Sequence, residues 1–231
     1  YTVDVLGSLL GIAVFTGLSF IWTPAVVWFV IVSALMIYFV RKWSGWQTIS
    51  VIALLAASGY VSYYGTLTTT VHWSPYYMVY FDNYLHTDGS QQITVNSLSH
   101  QSMHPISKDT GMYPLIYDLT RDARQPLYDH AMIIGAGSGN DVDCALLNGV
   151  KKIDAVEIDP VIQYIGANLH PDKPYDSKKV DVHITDGRQW LKRHAPSDDK
   201  YDLMIYALVD SLVLHSGYSS LRLESFLFTT D

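Results

Sequence analysis

The sequence is poor in cysteine, and its first 70 residues are poor in charge. Cys144 is the only cysteine among 231 residues, which excludes disulfide bonds within the chain and zinc sites built from several cysteines. The first 70 residues carry only three charged side chains, those of Asp4, Arg41 and Lys42. So few charges over this length argue against an ordinary soluble surface and favour membrane helices.

Basic residues are also scarce beyond that segment. Of 15 basic and 22 acidic residues, all but Arg41, Lys42 and Asp4 follow residue 70, which gives that part a formal charge of −8. Nucleic-acid binding depends on basic patches, so this composition argues against a nucleic-acid partner. An acidic surface is compatible with a cationic substrate.

Three apolar runs fill residues 1–70. They cover residues 3–22, 25–40 and 49–66, and Trp22, Trp43, Trp46 and Trp73 stand near their ends. Apolar runs of about 17 to 25 residues are typical of transmembrane helices, and tryptophan is enriched at membrane interfaces. We therefore expect two or three membrane helices in residues 1–70, with a buried helical hairpin of a soluble protein as the alternative.

Residues 71–128 are expected to form a small antiparallel β unit and a connecting helix. Residues 78–81 form one predicted strand, residues 92–98 alternate as a second, and a helix is expected within residues 113–127. His100 and His104 have the spacing of a helical metal pair. Their segment lacks helical character and a third ligand is not evident, so we predict no metal.

A glycine turn begins the next unit, which we place at residues 129–231. The apolar run 132–134 leads into Gly135-Ala136-Gly137-Ser138-Gly139, a helix is expected over 141–147, and a second strand ends at Glu157. Such a turn lets a ligand approach the backbone closely, and an acidic residue about 20 positions later is typical of a carboxylate that binds a ribose. The pattern predicts a nucleoside site, with an ordinary glycine-rich strand–helix turn as the alternative.

Acidic residues follow two further predicted strands. Asp186-Gly187 comes after a predicted strand at 180–184, and Asp210 comes after the apolar run 201–209. Ligands of open α/β sheets bind outside the carboxyl ends of the strands, so Glu157, Asp186 and Asp210 are expected to share one crevice. Each could instead cap a helix.

Taken in order, the motifs GAGSG, VEID, TDG and VDS resemble those of the spermidine synthases, the polyamine aminopropyltransferases. The resemblance covers roughly residues 73–231 and is strongest to bacterial forms that carry membrane helices before the catalytic domain. It implies an α/β Rossmann-like domain of the class I methyltransferase type, preceded by the β unit and the transmembrane helices. With four strands visible, we expect this domain to be truncated at its carboxyl-terminal end.

The resemblance also implies a reaction. An aminopropyl group would move from decarboxylated S-adenosylmethionine, as co-substrate, to a polyamine or other small amine such as putrescine. Asp210 would orient and deprotonate the attacking amine, and Tyr113 would line the amine pocket. His215 is not part of the family pattern but could supply a replacement polar group to the amine. The residues that would bind the nucleoside are Gly135, Gly137, Ser138, Gly139, Glu157, Asp186 and Gly187.

The sequence departs from the family pattern on the amine side. Ser138 occupies the position of an aspartate, Pro114 that of a glutamine, and Val213 that of a second acid. Two alternatives therefore stay open. One is a methyltransferase that uses S-adenosylmethionine, and the other is a degenerate synthase-like subunit of a membrane complex.

The expected location is the bacterial inner membrane, with several membrane passes and the soluble domain in the cytoplasm. The expected partners are the lipid bilayer and the small amine, with a homo-oligomer or membrane-complex subunits as further possibilities.

Overall fold

The computed structural model describes residues 1–40, 42–68, 71–81, 86–87, 89–108, 111–194 and 200–207. The α-helices in these ranges are α1 (Thr2–Phe20), α2 (Ala25–Val40), α3 (Gly45–Thr68), α4 (Leu115–Asp122), α5 (Asn140–Leu147), α6 (Pro160–Leu169) and α7 (Gly187–His194). The strands are β1 (Val71–Trp73), β2 (Met78–Phe81), β3 (Gln91–Val95), β4 (Leu98–Met103), β5 (His130–Ile134), β6 (Lys152–Glu157), β7 (Val180–Ile184) and β8 (Leu203–Tyr206).

The described residues fall into two compact units. The first takes those within Tyr1–Asn83 and Val95–Ser97, and the second takes those within Tyr84–Thr94 and Leu98–Asp231. The division at residues 70 and 128 expected from the sequence stays a prediction.

The first unit contains the three expected helices. Among the described residues, α1 alone is both long and apolar enough to cross a membrane, by length and composition. Ser19 is its only buried residue. The apolar helix α2 has 16 residues, which is shorter than a typical span. Several membrane passes are therefore not supported, although all three helices form.

The antiparallel β unit was predicted correctly in kind but not in its strand bounds. β1 pairs antiparallel with β2 through Trp73 and Met78 at one end and Val71 and Tyr80 at the other. The predicted strand at 92–98 is wrong, because the chain turns at Asn96 and Ser97, whose φ values are +48° and +67°. Two consecutive residues with positive φ are typical of a two-residue hairpin turn, which separates β3 from β4.

A parallel sheet forms the centre of the second unit. Its strand order is β7-β6-β5-β8, and every neighbouring pair is parallel. Strands β5, β6 and β7 are joined through α5 and α6 in one direction, whereas β8 lies on the opposite side of β5. The mixed α/β class is confirmed. The reversal of strand order at β5 marks where such sheets place their ligand sites, at the carboxyl ends of the strands.

Alternate residues of the central strands pack on opposite faces of this sheet. Ala131 and Ile133 of β5 belong to the cluster that includes Val142 and Ala145 of α5. Met132 and Ile134 pack on the other side, with Trp190 of α7 and its neighbours. β5 is thus apolar on both faces, which explains the near-continuous apolar run of this strand in the sequence.

One buried carboxylate, that of Asp154 in β6, lies among the apolar residues on the sheet face that packs against α7. Asp154 accepts hydrogen bonds from His183 Nε2 at 2.7 Å and from His130 Nε2 at 2.9 Å, and its side chain is 8% exposed. The Trp190 ring stacks on His183 at a centroid distance of 3.7 Å. Burial alone raises the pKa of Asp154, but the hydrogen bonds from His183 and His130 outweigh it and hold the pKa below its ordinary value.

We expect Asp154→Asn to lower the free energy of unfolding at pH 7 by about 1–3 kcal/mol, because one amide cannot accept from both imidazoles. A lowered pKa means that the carboxylate stabilises the fold above the unfolded pKa of about 4 and loses this effect as the pH falls. Denaturant titrations at pH 7 and at pH 3 to 4 should show that the original protein and Asp154→Asn differ less in free energy of unfolding at the lower pH.

Asp129→Asn is the matched control, because Asp129 contacts Lys151 at 2.9 Å in a pair whose side chains are 62% and 71% exposed. Exposed pairs contribute about 0–1 kcal/mol. Equal losses in the two variants would contradict the role of the buried carboxylate.

Candidate functional site

The glycine turn links β5 to α5 at the carboxyl edge of the sheet. Gly135, Gly137 and Gly139 have φ values of +77°, +56° and +105°, in the region that favours glycine. An added Cβ at Gly137 would lie 2.6 Å from Oε1 of Gln101. The predicted turn therefore needs glycine both for its backbone conformation and for space.

Glu157 fastens this turn to the neighbouring strand. Its Oε2 accepts from Gly137 N and its Oε1 from Asp159 N, both at 2.8 Å. Burial raises the pKa of Glu157, with hydrogen bonds from the backbone of Asp159, Gly137 and Ile158 opposing the rise. Asp159 in turn caps α6 by accepting from Val161 N, and Pro160 occupies the first turn of that helix as its sequence position predicts.

Asp186 and Gly187 lie at the same edge, one strand further along. Glu157 is paired with Ile184, and Asp186 follows two residues later. Asp186 Oδ1 accepts from Gln189 N at 2.9 Å, which is the helix-capping role considered from the sequence. Its carboxylate is exposed, so a role toward a nucleoside stays a prediction.

Tyr113 lies just before α4, and its hydroxyl reaches Asn140, the first residue of α5 after the glycine turn. Its hydroxyl oxygen accepts from Asn140 Nδ2 at 3.0 Å, and its ring is 5.9 Å from that of His104. The predicted groups Asp210 and His215 lie outside the described residues. The chain reaches this edge at Ala207, whose N–H donates to Ile134 O at 2.9 Å.

Ser138 is enclosed rather than presented to a ligand. The residue has no exposed surface, and its Oγ has no hydrogen-bond partner among the described residues. A Cβ on Gly166 would lie 2.4 Å from Ser138 O, so α6 packs directly on the turn. Ser138 N donates to Gln101 Oε1 at 3.0 Å. Neither its hydroxyl nor its N–H therefore serves as an evident ligand contact.

Sequence reasoning missed two side chains that close the turn. Gln101 of β4 accepts from Ser138 N, and Tyr175 Oη donates to Gly137 O at 2.8 Å. Burial raises the pKa of Tyr175 well above its ordinary value, with a smaller contribution from Glu157. Both residues approach from segments distant in sequence, and neither lies in a motif that would have indicated it.

Two carboxyl groups at the start of α5 have pKa values raised toward neutral pH. Burial raises the pKa of Asp141 to about 6. Burial, together with the neighbouring Asp172, raises the pKa of Asp143 to about 7. Groups with such pKa values exchange protons readily near pH 7, which general acid–base chemistry requires.

A cavity of about 420 Å³ lies at the other end of the sheet. It is lined by residues of α4 and of the segments before β5 and β8, among them Leu119, Leu127, Tyr128 and Asp202. Tyr128 and Asp202 precede the amino ends of β5 and β8, so this cavity is separate from the glycine turn.

Part of the chain is similar to known proteins. Residues 122–226 match the family model described as the spermine/spermidine synthase domain. Polyamine aminopropyltransferases of Prochlorococcus marinus are similar: the protein of strain MIT 9215 is 31% identical over 77 residues, and that of strain MIT 9312 is 32% identical over 79 residues. These matches cover 32% of this chain and 26% and 27% of the relatives, respectively, so the chain spans about a quarter of their length.

Solved structures of spermidine synthases are similar at a lower level. The complex with the transition state analogue AdoDATO and the enzyme from Thermotoga maritima each have a TM-score of 0.42 and 16% identity. The alignments cover 56% of this chain and 42% and 43% of those chains, respectively.

The parallel sheet, the glycine turn and the carboxylate at the end of the next strand together define a Rossmann-like α/β domain. Over residues 122–226, the chain is similar to the spermine/spermidine synthase domain.

We expect Gly137→Ala to abolish nucleoside binding and to lower the free energy of unfolding by about 2 kcal/mol or more. The new methyl group would strain the backbone at φ +56° and displace Gln101 from the turn. Nucleoside-dependent shifts of the melting temperature should report binding, and denaturant titration should report stability.

Gly149→Ala is the matched control. Gly149 has φ +86° but open space around its Cβ position, so it introduces the backbone strain without the collision. We expect Gly149→Ala to lower the free energy of unfolding by about 1–2 kcal/mol and to leave nucleoside binding intact. Loss of binding in both variants would point to general destabilisation instead.

Proposed function

We propose that this protein is an aminopropyltransferase that uses decarboxylated S-adenosylmethionine and a small polyamine acceptor such as putrescine. The observation that carries this proposal is the junction of the glycine turn with Glu157 at the carboxyl edge of a parallel sheet. The match of residues 122–226 to the spermine/spermidine synthase domain supports the reaction type. The AdoDATO complex of a spermidine synthase supports an adenosyl ligand for this class of site.

In this proposal, the nucleoside lies along the edge formed by Gly135, Gly137, Gly139 and the neighbouring strand ends. Glu157 binds the ribose hydroxyls through lone pairs that its two backbone donors leave unused, since each carboxylate oxygen can accept more than one hydrogen bond. Asp186 and Gly187 contact the adenine. Ser138 contributes only through packing, because its side chain is enclosed.

The chemistry requires a neutral amine. Asp210 accepts a proton from the acceptor ammonium group, the freed lone pair forms an N–C bond to the aminopropyl carbon, and the S–C bond to the sulfonium breaks. Methylthioadenosine leaves with the electron pair of that bond. Tyr113 and His215 hold the amine, and alignment of nitrogen, carbon and sulfur supplies much of the rate enhancement.

The burial of Ser138 favours a second candidate. The glycine turn offers no carboxylate to the aminopropyl amine, because Ser138 occupies the position of the family's aspartate. The hydroxyl of Ser138 does not replace it, because that side chain is enclosed. A methyltransferase using S-adenosylmethionine, or a degenerate subunit of a membrane complex, would have no need for that carboxylate.

We expect the purified protein to release methylthioadenosine and form a new polyamine only when supplied with decarboxylated S-adenosylmethionine and putrescine. Asp210→Asn should lower kcat by roughly 10²- to 10⁴-fold, because an amide cannot accept the proton. Asp181→Asn is the matched control, since Asp181 is an exposed residue of β7 and should leave kcat unchanged.

The same assay separates the alternatives. Turnover of S-adenosylmethionine to S-adenosylhomocysteine would replace our proposal with a methyltransferase. Binding of either nucleoside without turnover would favour a degenerate subunit, and no binding of either would rule out both enzymes.

We also propose that residues 1–70 anchor the protein, with α1 in the lipid bilayer. Large apolar side chains are exposed along α1, including Leu6 and Leu10 at 60% and 66%. An exposed helix that is apolar on all faces needs a nonpolar environment. A bacterial inner membrane, with residues 129–231 in the cytoplasm beside their nucleoside substrate, would provide it.

In a Cys144→Ala background, we expect a cysteine replacing Leu10 to resist a membrane-impermeant maleimide until detergent is added. A cysteine replacing Thr2, at the end of α1, is the control and should react from one side of the membrane. Equal labelling of both cysteines in intact membranes would contradict the anchor, and loss of α1 from the mature protein would identify it as a cleaved signal.

A further inference from the structure

A chain of buried hydrogen bonds leads from the loop after α6 to Tyr113. His170 is 1% exposed and Asn140 has no exposed surface. His170 Nε2 lies 3.1 Å from Asn140 Oδ1, and Asn140 Nδ2 donates to Tyr113 Oη at 3.0 Å. The same amide nitrogen donates to Ser102 O at 2.7 Å.

The hydrogen bond that Asp172 makes to His170 determines which atoms donate and which accept in the other hydrogen bonds of this series. The backbone N–H of Asp172 donates to His170 Nδ1 at 3.1 Å, so Nδ1 must be the acceptor and Nε2 must carry the hydrogen of a neutral ring. Burial lowers the pKa of His170 to about 4, with Asp172 opposing and His104 adding to the shift, which keeps the ring neutral at pH 7. The Nε2–H group therefore donates to Asn140 Oδ1.

This polarity decides how Asn140 is oriented. With Oδ1 facing the His170 donor, both hydrogens of Nδ2 are directed at Ser102 O and Tyr113 Oη. The reversed amide would set Nδ2 against the Nε2–H group and Oδ1 against the Ser102 carbonyl oxygen. Each unmade bond of a buried polar group is costly, so one orientation dominates. The Tyr113 oxygen is consequently an acceptor from Asn140, and its remaining acceptor capacity is what an ammonium group, which can only donate, would use.

We propose that Asn140 and His170 are positioning residues for the acceptor amine, acting through the place and polarity of the Tyr113 hydroxyl. This rests on the proposed function, in which Tyr113 contacts the amine. Neither residue touches the amine: His170 fixes Asn140, and Asn140 fixes Tyr113. Asn140 follows the glycine turn directly. The segment that would contact the nucleoside therefore also positions Tyr113, the residue proposed to contact the amine.

A double-mutant cycle tests the proposal. His170→Leu removes the donor to Asn140, and Tyr113→Phe removes the hydroxyl that the chain orients. Each should raise KM for putrescine by roughly three- to tenfold, the range expected for one neutral hydrogen bond. KM for the nucleoside donor should change by less than about twofold, because the glycine turn and Glu157 are untouched.

The double variant should be no worse than Tyr113→Phe alone, because His170 has no hydroxyl left to position. His170→Gln, whose amide can supply a donor in place of Nε2–H, should recover most of the loss. A purely structural role predicts additive losses and an equal rise in KM for both substrates, and that result would overturn the proposal.

A readout that needs no turnover separates this proposal from the proposed function. Calorimetry with putrescine and methylthioadenosine measures amine binding directly, and ¹⁵N NMR identifies the tautomer of His170. Non-additive amine binding with the Nε2–H tautomer, but no transfer, would overturn the proposed function alone. Normal transfer with additive losses or an Nδ1–H tautomer would overturn the positioning role alone, and absence of amine binding would overturn both.

Discussion

The hydrogen bond from Gly137 N to Glu157 Oε2 is the interaction on which the site depends. It joins the turn after β5 to the end of β6, so that two adjacent strands present their termini as one surface. The carboxylate is 6% exposed, which makes this bond expensive to lose, because a buried acceptor would remain unpaired. The capped start of α6, through Asp159, is attached to the same side chain. A single acid thereby fixes the turn, the strand end and the next helix.

Much of the fold was predictable because its signals are local. The apolar runs of β5 and β6, the glycine turn and the proline at the start of α6 each act within a few residues, and the structure contains all of them. The hairpin at Asn96 and Ser97 was not predicted, because alternation of side chains continued across a turn that has no glycine. The membrane segment shows another limit: apolar runs indicate helices, but only α1 combines the length and apolarity of a span.

The residues of the candidate site also differ in whether the sequence could predict them. Glu157 could be inferred from its spacing, since the strand–turn–helix–strand unit fixes how far along the chain a carboxylate must be. Gln101, Tyr175 and His170 could not, because they reach the turn or α5 only through tertiary packing. Asn140 stands directly after the predicted turn, and a buried amide at that position becomes meaningful only once its partners are known.

The hydrogen bonds of the turn also bear on the chemistry of its ligand. All five N–H groups from Gly135 to Gly139 donate to acceptors of the protein, which are Val156 O for the first two, then Glu157 Oε2, Gln101 Oε1 and Ala136 O. A pyrophosphate cradle needs such groups free to face the ligand. Asp141 stands at the beginning of α5, and its pKa of about 6 leaves it mostly ionised at pH 7, so that it complements the helix dipole and disfavours an anion. These features support the proposed adenosyl sulfonium, which carries a positive charge and no phosphate, over a dinucleotide.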